Sequence, residues 1–168
     1  MSTSAFTLPA GYALVEGYPA PEAYMRLRAD SGLSPRTPAQ AACYAAGSWH
    51  GVYITYADPS LPSPSPVQGQ EPSPVGMGRI LGDGSWYFVI ADMAVLPGHQ
   101  RKGLGDAILK SLLARIRERA PEGETYVSLM ADPPGKKLYE RNGFIEGVRW
   151  NEVGMVLETE EGKKKEKV

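Results

Sequence analysis

A short glycine-rich segment between an apolar run and a helical pattern constrains this chain more than any other feature. Residues 100–105 read Gln-Arg-Lys-Gly-Leu-Gly; they follow the apolar run 86–96 and precede a helix predicted to begin near Gly105. Gly103 and Gly105 lack a Cβ atom, so the backbone can turn tightly and approach a ligand closely. The first N–H groups of a helix have no acceptor within the helix and carry the positive end of its dipole. The segment therefore predicts an anion site, as in phosphate-binding loops.

Two common phosphate-binding motifs do not fit this segment. A Walker A loop ends in Gly-Lys-Ser/Thr, whereas residues 104–106 here are Leu-Gly-Asp. A dinucleotide fingerprint needs a third glycine, and position 108 is Ile. The pattern that remains is Q/R-x-x-G-x-G/A.

Three further segments occur in a fixed order around this loop. They are Met-Ala-Val-Leu-Pro at 93–97, Gly-Asp-Ala-Ile-Leu at 105–109 and Leu-Tyr-Glu-Arg-Asn-Gly-Phe at 138–144. Together with the loop, they resemble the GNAT superfamily of N-acetyltransferases over about residues 85–145, roughly a third of the chain.

The resemblance implies an α/β (α+β) fold with a mixed, mostly antiparallel central sheet, about four flanking helices and two strands that part at the CoA site. Periodicity predicts an apolar stripe of Tyr24, Met25 and Leu27 on the first helix, with Arg26, Arg28 and Asp30 facing solvent. The predicted strands are 12–16, 49–56, 75–81, 86–95, 126–130, 144–147 and 151–158, and the predicted helices begin at Pro21, Pro38, near Gly105 and near Gly135.

We expect one domain over residues 1–158, followed by a disordered charged tail at 159–168. Residues 57–75 hold six prolines and four serines and are predicted to be an extended loop; a polyproline ligand for another domain is the alternative. The single cysteine, Cys43, suits a reducing, cytoplasmic compartment and is expected to be buried.

The net charge and the lengths of the apolar runs indicate whether the chain binds nucleic acid or a membrane. The formal net charge is −1, so no global field attracts nucleic acid or an anionic membrane. No apolar run approaches the ~20 residues that span a bilayer. The sequence predicts neither of these partners and leaves a homodimer open.

The resemblance implies transfer of an acetyl group from acetyl-CoA to a primary amine, without a metal and by direct attack in a ternary complex. A small-molecule amine is the expected acceptor, and the segment 27–35, which covers the end of the first helix and the loop after it, resembles the wall of the family's acceptor site. The alternatives are acetylation of a protein N-terminus or lysine, and a catalytically silent acetyl-CoA-binding domain.

The resemblance also assigns roles to individual residues. Asp92, a carboxylate on an apolar strand, is a candidate base or anchor of a cationic substrate, with a structural role as the alternative. Tyr139 is the candidate acid beside the CoA sulfur. The expected cofactor-binding residues are Met93, Ala94, Val95, Gln100, Arg101, Lys102, Gly103, Leu104, Gly105, Asp132 and Lys136.

Overall fold

The computed structural model describes residues 7–60 and 72–157. The chain forms two compact units, residues 1–129 and 130–168, and each is described by itself. The proline-rich segment 57–75 is described only at its two ends, and the predicted tail 159–168 lies outside the described residues. Among the described helices, none is both long and apolar enough to cross a bilayer.

The first unit contains a five-stranded sheet and three helices. In chain order its elements are β1 (Tyr12–Glu16), α1 (Pro21–Asp30), α2 (Pro38–Cys43), β2 (His50–Tyr56), β3 (Ser73–Gly82), β4 (Tyr87–Val95), α3 (Leu104–Arg119) and β5 (Tyr126–Ser128).

The strands lie in chain order across the sheet. The pairs from β1 to β4 are antiparallel, whereas β4 and β5 run parallel and are joined through α3. Pairing of β4 with β5 covers only Tyr87–Val89 against Tyr126–Ser128, so in the described chain the rest of β4 pairs with β3 alone. The predicted mixed sheet is confirmed, and β4 parts from β5 after Val89.

Helices cover both faces of this sheet. Side chains alternate between the faces of a strand, and on β3 Met77 joins the cluster formed by α1 and α2 while Gly78 faces α3. A Cβ on Gly78 would lie only 2.7 Å from Cγ2 of Ile108, so the missing side chain allows α3 to pack closely. The buried residues of α3 follow helical spacing: Leu104, Ala107, Ile108, Leu109, Leu112 and Ile116.

Three predictions for the first unit are wrong in detail. Arg28 does not face solvent: it is 5% exposed, because it lies four residues after Tyr24 on the same face of α1 and has a buried charge partner. Cys43 is exposed, since the buried face of the helical segment 38–44 carries Ala41 and Tyr44 instead. β3 begins at Ser73 rather than Val75, and its Pro74 is tolerated because the register with β2 shifts beside it.

Within its described residues, 130–157, the second unit contains one short helix, α4 (Lys136–Arg141), preceded by a 3-10 turn at Pro133–Gly135. Gly143 ends α4 in the left-handed region at φ 91°, as predicted, and Phe144 N–H donates to the Tyr139 carbonyl at 3.1 Å.

The two strands predicted after α4 do not form in the described residues. Gly147–Trp150 make a 3-10 turn, Asn151 adopts a left-handed φ of 60°, and Glu152 N–H donates to the Gly147 carbonyl at 3.0 Å. These local hydrogen bonds use backbone groups that a strand would pair with a neighbour. The prediction of strands at 144–147 and 151–158 is therefore wrong for the part that is described.

Candidate functional site

The loop before α3 presents a row of backbone N–H groups. Arg101 and Gly103 both adopt left-handed conformations, with φ values of 63° and 80°, and Gly103 caps α3 without a side-chain hydrogen bond. Within the described residues, no acceptor contacts the N–H groups of 101–105. Unpaired N–H groups at a turn and a helix start form an anion-binding concavity. The loop has the geometry that its sequence predicted.

The side chains of this loop are held by the backbone around it. Gln100 Nε2 donates to the Val95 carbonyl at 2.9 Å, and Lys102 Nζ donates to the Gly98 carbonyl at 3.1 Å. Leu104 is 1% exposed, so it can offer a ligand only its backbone. Arg101 is exposed and carries a positive charge at the rim of the loop.

An aromatic cluster that the sequence did not reveal adjoins the loop. Tyr12 Oη lies 2.8 Å from His99 Nδ1, and the rings of Tyr12 and Tyr56 are 4.7 Å apart. Lys102 Nζ lies 6.0 Å from the centre of the Tyr12 ring. Burial, and then the charge of Lys102, lower the pKa of His99, so this imidazole is neutral at pH 7. Tyr12 and Tyr56 are distant from the loop in sequence, so no local pattern could have linked them to it.

Among the described residues, no strand pairs with the β5 side of β4 beyond Val89, and Met93, Ala94 and Val95 lie on this open stretch of edge. Gly78 on β3 lies opposite two residues of β4, because the register runs from Met77–Ala94 to Arg79–Ala91. This bulge is centred on Asp92, which adopts a left-handed φ of 53°. The bulge lies within the stretch of β4 that has no β5 partner in the described chain.

Asp92 is the centre of a buried ion network. Its Oδ1 accepts from Arg28 Nη1, and its Oδ2 accepts from Arg79 Nε at 2.7 Å and from Tyr24 Oη at 2.8 Å. The side chains of Arg28, Asp92 and Arg79 are 6%, 11% and 16% exposed, respectively. Two guanidinium groups thus face one carboxylate, which leaves one positive charge in excess.

This arrangement favours a structural role for Asp92 among the alternatives that the sequence left open. Both carboxylate oxygens already accept hydrogen bonds from charged or hydroxyl donors. A cationic substrate would meet two guanidinium groups at the same place, and like charges repel. Sequence reasoning missed Arg28 and Arg79; the spacing of Arg28 from Tyr24 was the only signal available.

A narrow cavity opens beside this network, and we call it the tyrosine cavity. Its lining includes Tyr18, Tyr24, Tyr44, Arg79 and Asp92. The rings of Tyr24 and Tyr44 stack with centroids 3.8 Å apart, and Tyr18 meets Tyr44 edge-on at 5.7 Å. Burial is the main cause that raises the pKa of all three hydroxyls, so they remain protonated at neutral pH.

Tyr139 lies on α4 in the second unit. Its ring packs against Gly135 and meets Phe144 edge-on at a centroid distance of 6.0 Å. Burial, and then the charge of Asp132, raise the pKa of the Tyr139 hydroxyl. A hydroxyl in this state keeps its proton at neutral pH and can donate it.

The other two residues expected to bind the cofactor lie in the same unit. Lys136 Nζ forms an ion pair with Glu146 and lies 3.8 Å from Glu140. The hydrogen bond to Glu146 is the first cause that raises the pKa of Lys136. The Asp132 carbonyl accepts from Gly135 N–H at 2.9 Å. In the described part of the chain, no cluster of three or more His, Cys, Asp or Glu could hold a metal.

Comparisons with known proteins agree with this geometry. The acetyltransferase (GNAT) domain family matches residues 67–146. A solved structure of a probable acetyltransferase from meticillin-resistant Staphylococcus aureus is 30% identical, with a TM-score of 0.73 over 88% of this chain and 99% of that chain. A GNAT family protein from Streptococcus pneumoniae is 20% identical, with a TM-score of 0.67 over 89% and 98% of the two chains, and it supports the fold alone.

The chain belongs to the GNAT superfamily of acetyltransferases, as its motifs predicted. Among curated proteins, it is similar to serotonin N-acetyltransferase 2, chloroplastic, from rice (Oryza sativa subsp. japonica), with 35% identity over 71 residues. That match covers 42% of this chain and 34% of the relative, so the chain spans about a third of the length of this curated protein.

Proposed function

We propose that this protein transfers the acetyl group of acetyl-CoA to the primary amine of a small molecule, by direct attack in a ternary complex. The observation that carries the proposal is the row of acceptor-free N–H groups at 101–105, which follows directly on the open edge of β4. The rice relative is named for the N-acetylation of serotonin, and this supports a small-molecule acceptor.

Two parts of acetyl-CoA find matching groups on this chain: the anionic pyrophosphate and the amide-rich pantetheine arm. The N–H groups of 101–105 suit the pyrophosphate, and Arg101 adds positive charge at the rim. The open edge of β4 at Met93 and Val95 suits the pantetheine arm, which can pair with it as an added strand would. Gln100 already occupies the Val95 carbonyl, so at that residue the N–H is the group left to bind.

Acetyl-CoA supplies an activated acetyl group as a thioester. The amine nitrogen bonds to the acetyl carbon, the bond from that carbon to sulfur breaks, and the proton of the amine passes to water. In the proposed complex, a β4 N–H hydrogen-bonds the thioester oxygen as negative charge develops on it. Tyr139 Oη, which burial keeps protonated, donates its proton to the departing sulfur and regains one from water, which has taken up the proton of the amine.

We assign Asp92 a positioning role in this reaction. Its two arginine partners and Tyr24 fix a non-glycine residue in a left-handed conformation directly before Met93. The ion network therefore fixes the backbone conformation of residue 92, and with it the direction of the β4 edge at Met93. The proposal includes a cytoplasmic location, because the single cysteine forms no disulfide within the chain; it leaves a homodimer open.

One assay separates the proposed function from its alternatives. Purified protein is mixed with acetyl-CoA and either a panel of small amines or peptides with free N-termini and lysines, and release of the free thiol is followed. We expect thiol release with small amines. Turnover of peptides alone would move the acceptor to proteins. Tight acetyl-CoA binding without any turnover would identify a silent binding domain.

Gly103 gives a direct test of the anion site. Gly103→Asp introduces a negative charge at the N–H row, whereas Gly103→Asn has nearly the same shape and no charge. Both residues tolerate the left-handed conformation that Gly103 adopts. We expect the affinity for CoA, measured by calorimetry, to be about tenfold lower in the Asp variant than in the Asn variant, or about 1.4 kcal/mol.

The comparison of these two variants removes backbone strain from the result. A Cβ at Gly103 meets no other atom within 4 Å, so both variants should fold. Equal CoA affinities for the Asp and Asn variants would show that the pyrophosphate does not bind at this loop.

A further inference from the structure

The loop that precedes α3 contains a residue in an unfavourable backbone conformation. Arg101 has a left-handed φ of 63°, although it carries a Cβ atom. Non-glycine residues in this region cost free energy and persist only where the surrounding structure holds them. The side chain of Arg101 is exposed and forms no hydrogen bond or ion pair with the described chain. The conformation of Arg101 is therefore held through the residues beside it.

Tyr12, the first residue of β1, contacts the chain on both sides of Arg101. Before Arg101, the Tyr12 hydroxyl oxygen lies 2.8 Å from Nδ1 of His99. After Arg101, Nζ of Lys102 lies 6.0 Å from the centre of the Tyr12 ring. Tyr12 pairs with Tyr56 across the sheet, so its ring is carried by hydrogen-bonded strands rather than by another loop. These contacts join the loop to the sheet.

The contact with His99 acts shortly after the chain leaves β4. His99 ends a 3-10 turn that begins at Pro97, and its N–H donates to the Leu96 carbonyl at 2.8 Å. Gln100 N–H then donates to the Pro97 carbonyl at 3.3 Å. These two hydrogen bonds restrict the backbone of the turn. A fixed position of the His99 ring therefore also fixes the direction in which the chain enters the loop.

We propose that Tyr12 is a positioning residue for acetyl-CoA: through its contact with His99 it keeps the N–H groups of 101–105 in the conformation that binds the pyrophosphate. This inference rests on the proposed binding of acetyl-CoA at the loop. A loop that adopts its binding conformation for only part of the time binds with an affinity reduced by that fraction. Tyr12 keeps that fraction high in the free protein, so less free energy is needed to order the loop when the cosubstrate binds.

The first test removes the hydroxyl group of Tyr12. Tyr12→Phe loses the contact with Nδ1 of His99 and keeps the ring. Tyr56→Phe removes the same atom from the neighbouring ring, whose hydroxyl forms no hydrogen bond with the described chain, and serves as the control. We expect the Kd for CoA, measured by calorimetry, to rise about fivefold in Tyr12→Phe, as loss of one hydrogen bond would give, and to stay close to the wild-type value in Tyr56→Phe. A wild-type Kd in Tyr12→Phe would overturn the proposal.

A donor without a pyrophosphate distinguishes positioning of the loop from a general loss of structure. S-Acetylpantetheine carries the thioester and the pantetheine arm of acetyl-CoA and lacks its phosphates. We expect Tyr12→Phe to raise KM for acetyl-CoA about fivefold with kcat unchanged, and to leave kcat/KM for S-acetylpantetheine at the wild-type value. Equal losses of kcat/KM with the two donors would show that Tyr12 supports the fold and not the N–H groups of the loop.

A double-mutant cycle assigns the effect to the contact between Tyr12 and His99. His99→Phe removes Nδ1, keeps an aromatic ring and should weaken CoA binding by a similar factor. Two residues that act through one shared contact have non-additive effects. The double variant Tyr12→Phe/His99→Phe should therefore bind CoA about as well as the weaker single variant. Losses that multiply in the double variant would contradict a role exerted through His99.

Calorimetry with CoA needs no acetyl transfer, so it separates failure of this inference from failure of the proposed function. If no amine is acetylated but Tyr12→Phe binds CoA more weakly than Tyr56→Phe does, the proposed function is wrong and the positioning role of Tyr12 stands. If amines are acetylated and the two variants bind CoA equally well, the positioning role is wrong and the proposed function stands.

Discussion

Asp92→Asn should destabilise the protein by about 3–5 kcal/mol, as removal of one partner from a buried ion network typically does. Asn tolerates the left-handed φ of residue 92, so the substitution changes the charge and leaves the backbone conformation accessible. Arg28 and Arg79, which are 6% and 16% exposed, would then be buried without a carboxylate. Urea unfolding of the wild type and the variant measures the loss.

Two comparisons isolate the electrostatic cause. Asp30→Asn neutralises an exposed carboxylate at the end of α1 and should change stability by less than about 0.5 kcal/mol. The double variant Asp92→Asn/Arg79→Gln should be more stable than Asp92→Asn alone, because it carries one buried unpaired guanidinium instead of two. A loss below about 1 kcal/mol for Asp92→Asn would show that the network is not a stabilising centre.

Tyr139→Phe should lower kcat by about 10²-fold while acetyl-CoA affinity stays close to that of the wild type. The substitution removes one oxygen and keeps the ring that packs on Gly135 and Phe144. General acids contribute about 10²–10⁴-fold, and a thiolate with a conjugate pKa of about 8.5 leaves well enough to place the effect at the lower end. Pre-steady-state kinetics under conditions where chemistry limits the rate measures the change.

The matched control is Tyr87→Phe, because Tyr87 is 43% exposed on β4 and has no assigned role. It should retain the wild-type kcat. A wild-type rate in Tyr139→Phe would assign Tyr139 to packing within the second unit, and the protonation of sulfur would then fall to solvent.

The parts of the fold that local pattern controls were predictable. β1 has the predicted bounds, and α3 begins within one residue of the predicted start near Gly105, since both follow from sequence patterns that extend over a few residues. The segment after α4 shows the limit of this reasoning. Residues 153–157 include four apolar residues, of which Val153 and Val156 are typical of strands, yet no strand forms there in the described chain, because strand formation depends on a partner that the local sequence does not encode.

In the candidate site, too, the features formed by neighbouring residues could be predicted, whereas those formed by distant residues could not. The turn at residues 100–105 and the helix start after it could be predicted, because the glycines and the following helix are contiguous in sequence. The ion network could not, since Arg28 lies 64 residues and Arg79 lies 13 residues from Asp92. An arginine on an amphipathic helix normally faces water, and only the tertiary fold reveals that Arg28 has a buried carboxylate beside it.

With acetyl-CoA bound along β4 as proposed, the early parting of β4 from β5 would make the hydrogen-exchange protection of this strand depend on the cosubstrate. Amides on the open side of residues 90–95 have no neighbouring strand in the described chain and should exchange with deuterium rapidly. A pantetheine arm that pairs with them would slow this exchange and stabilise the protein in proportion to the logarithm of ligand concentration. The cellular level of acetyl-CoA would then set both the rate of acetylation and the lifetime of the folded enzyme.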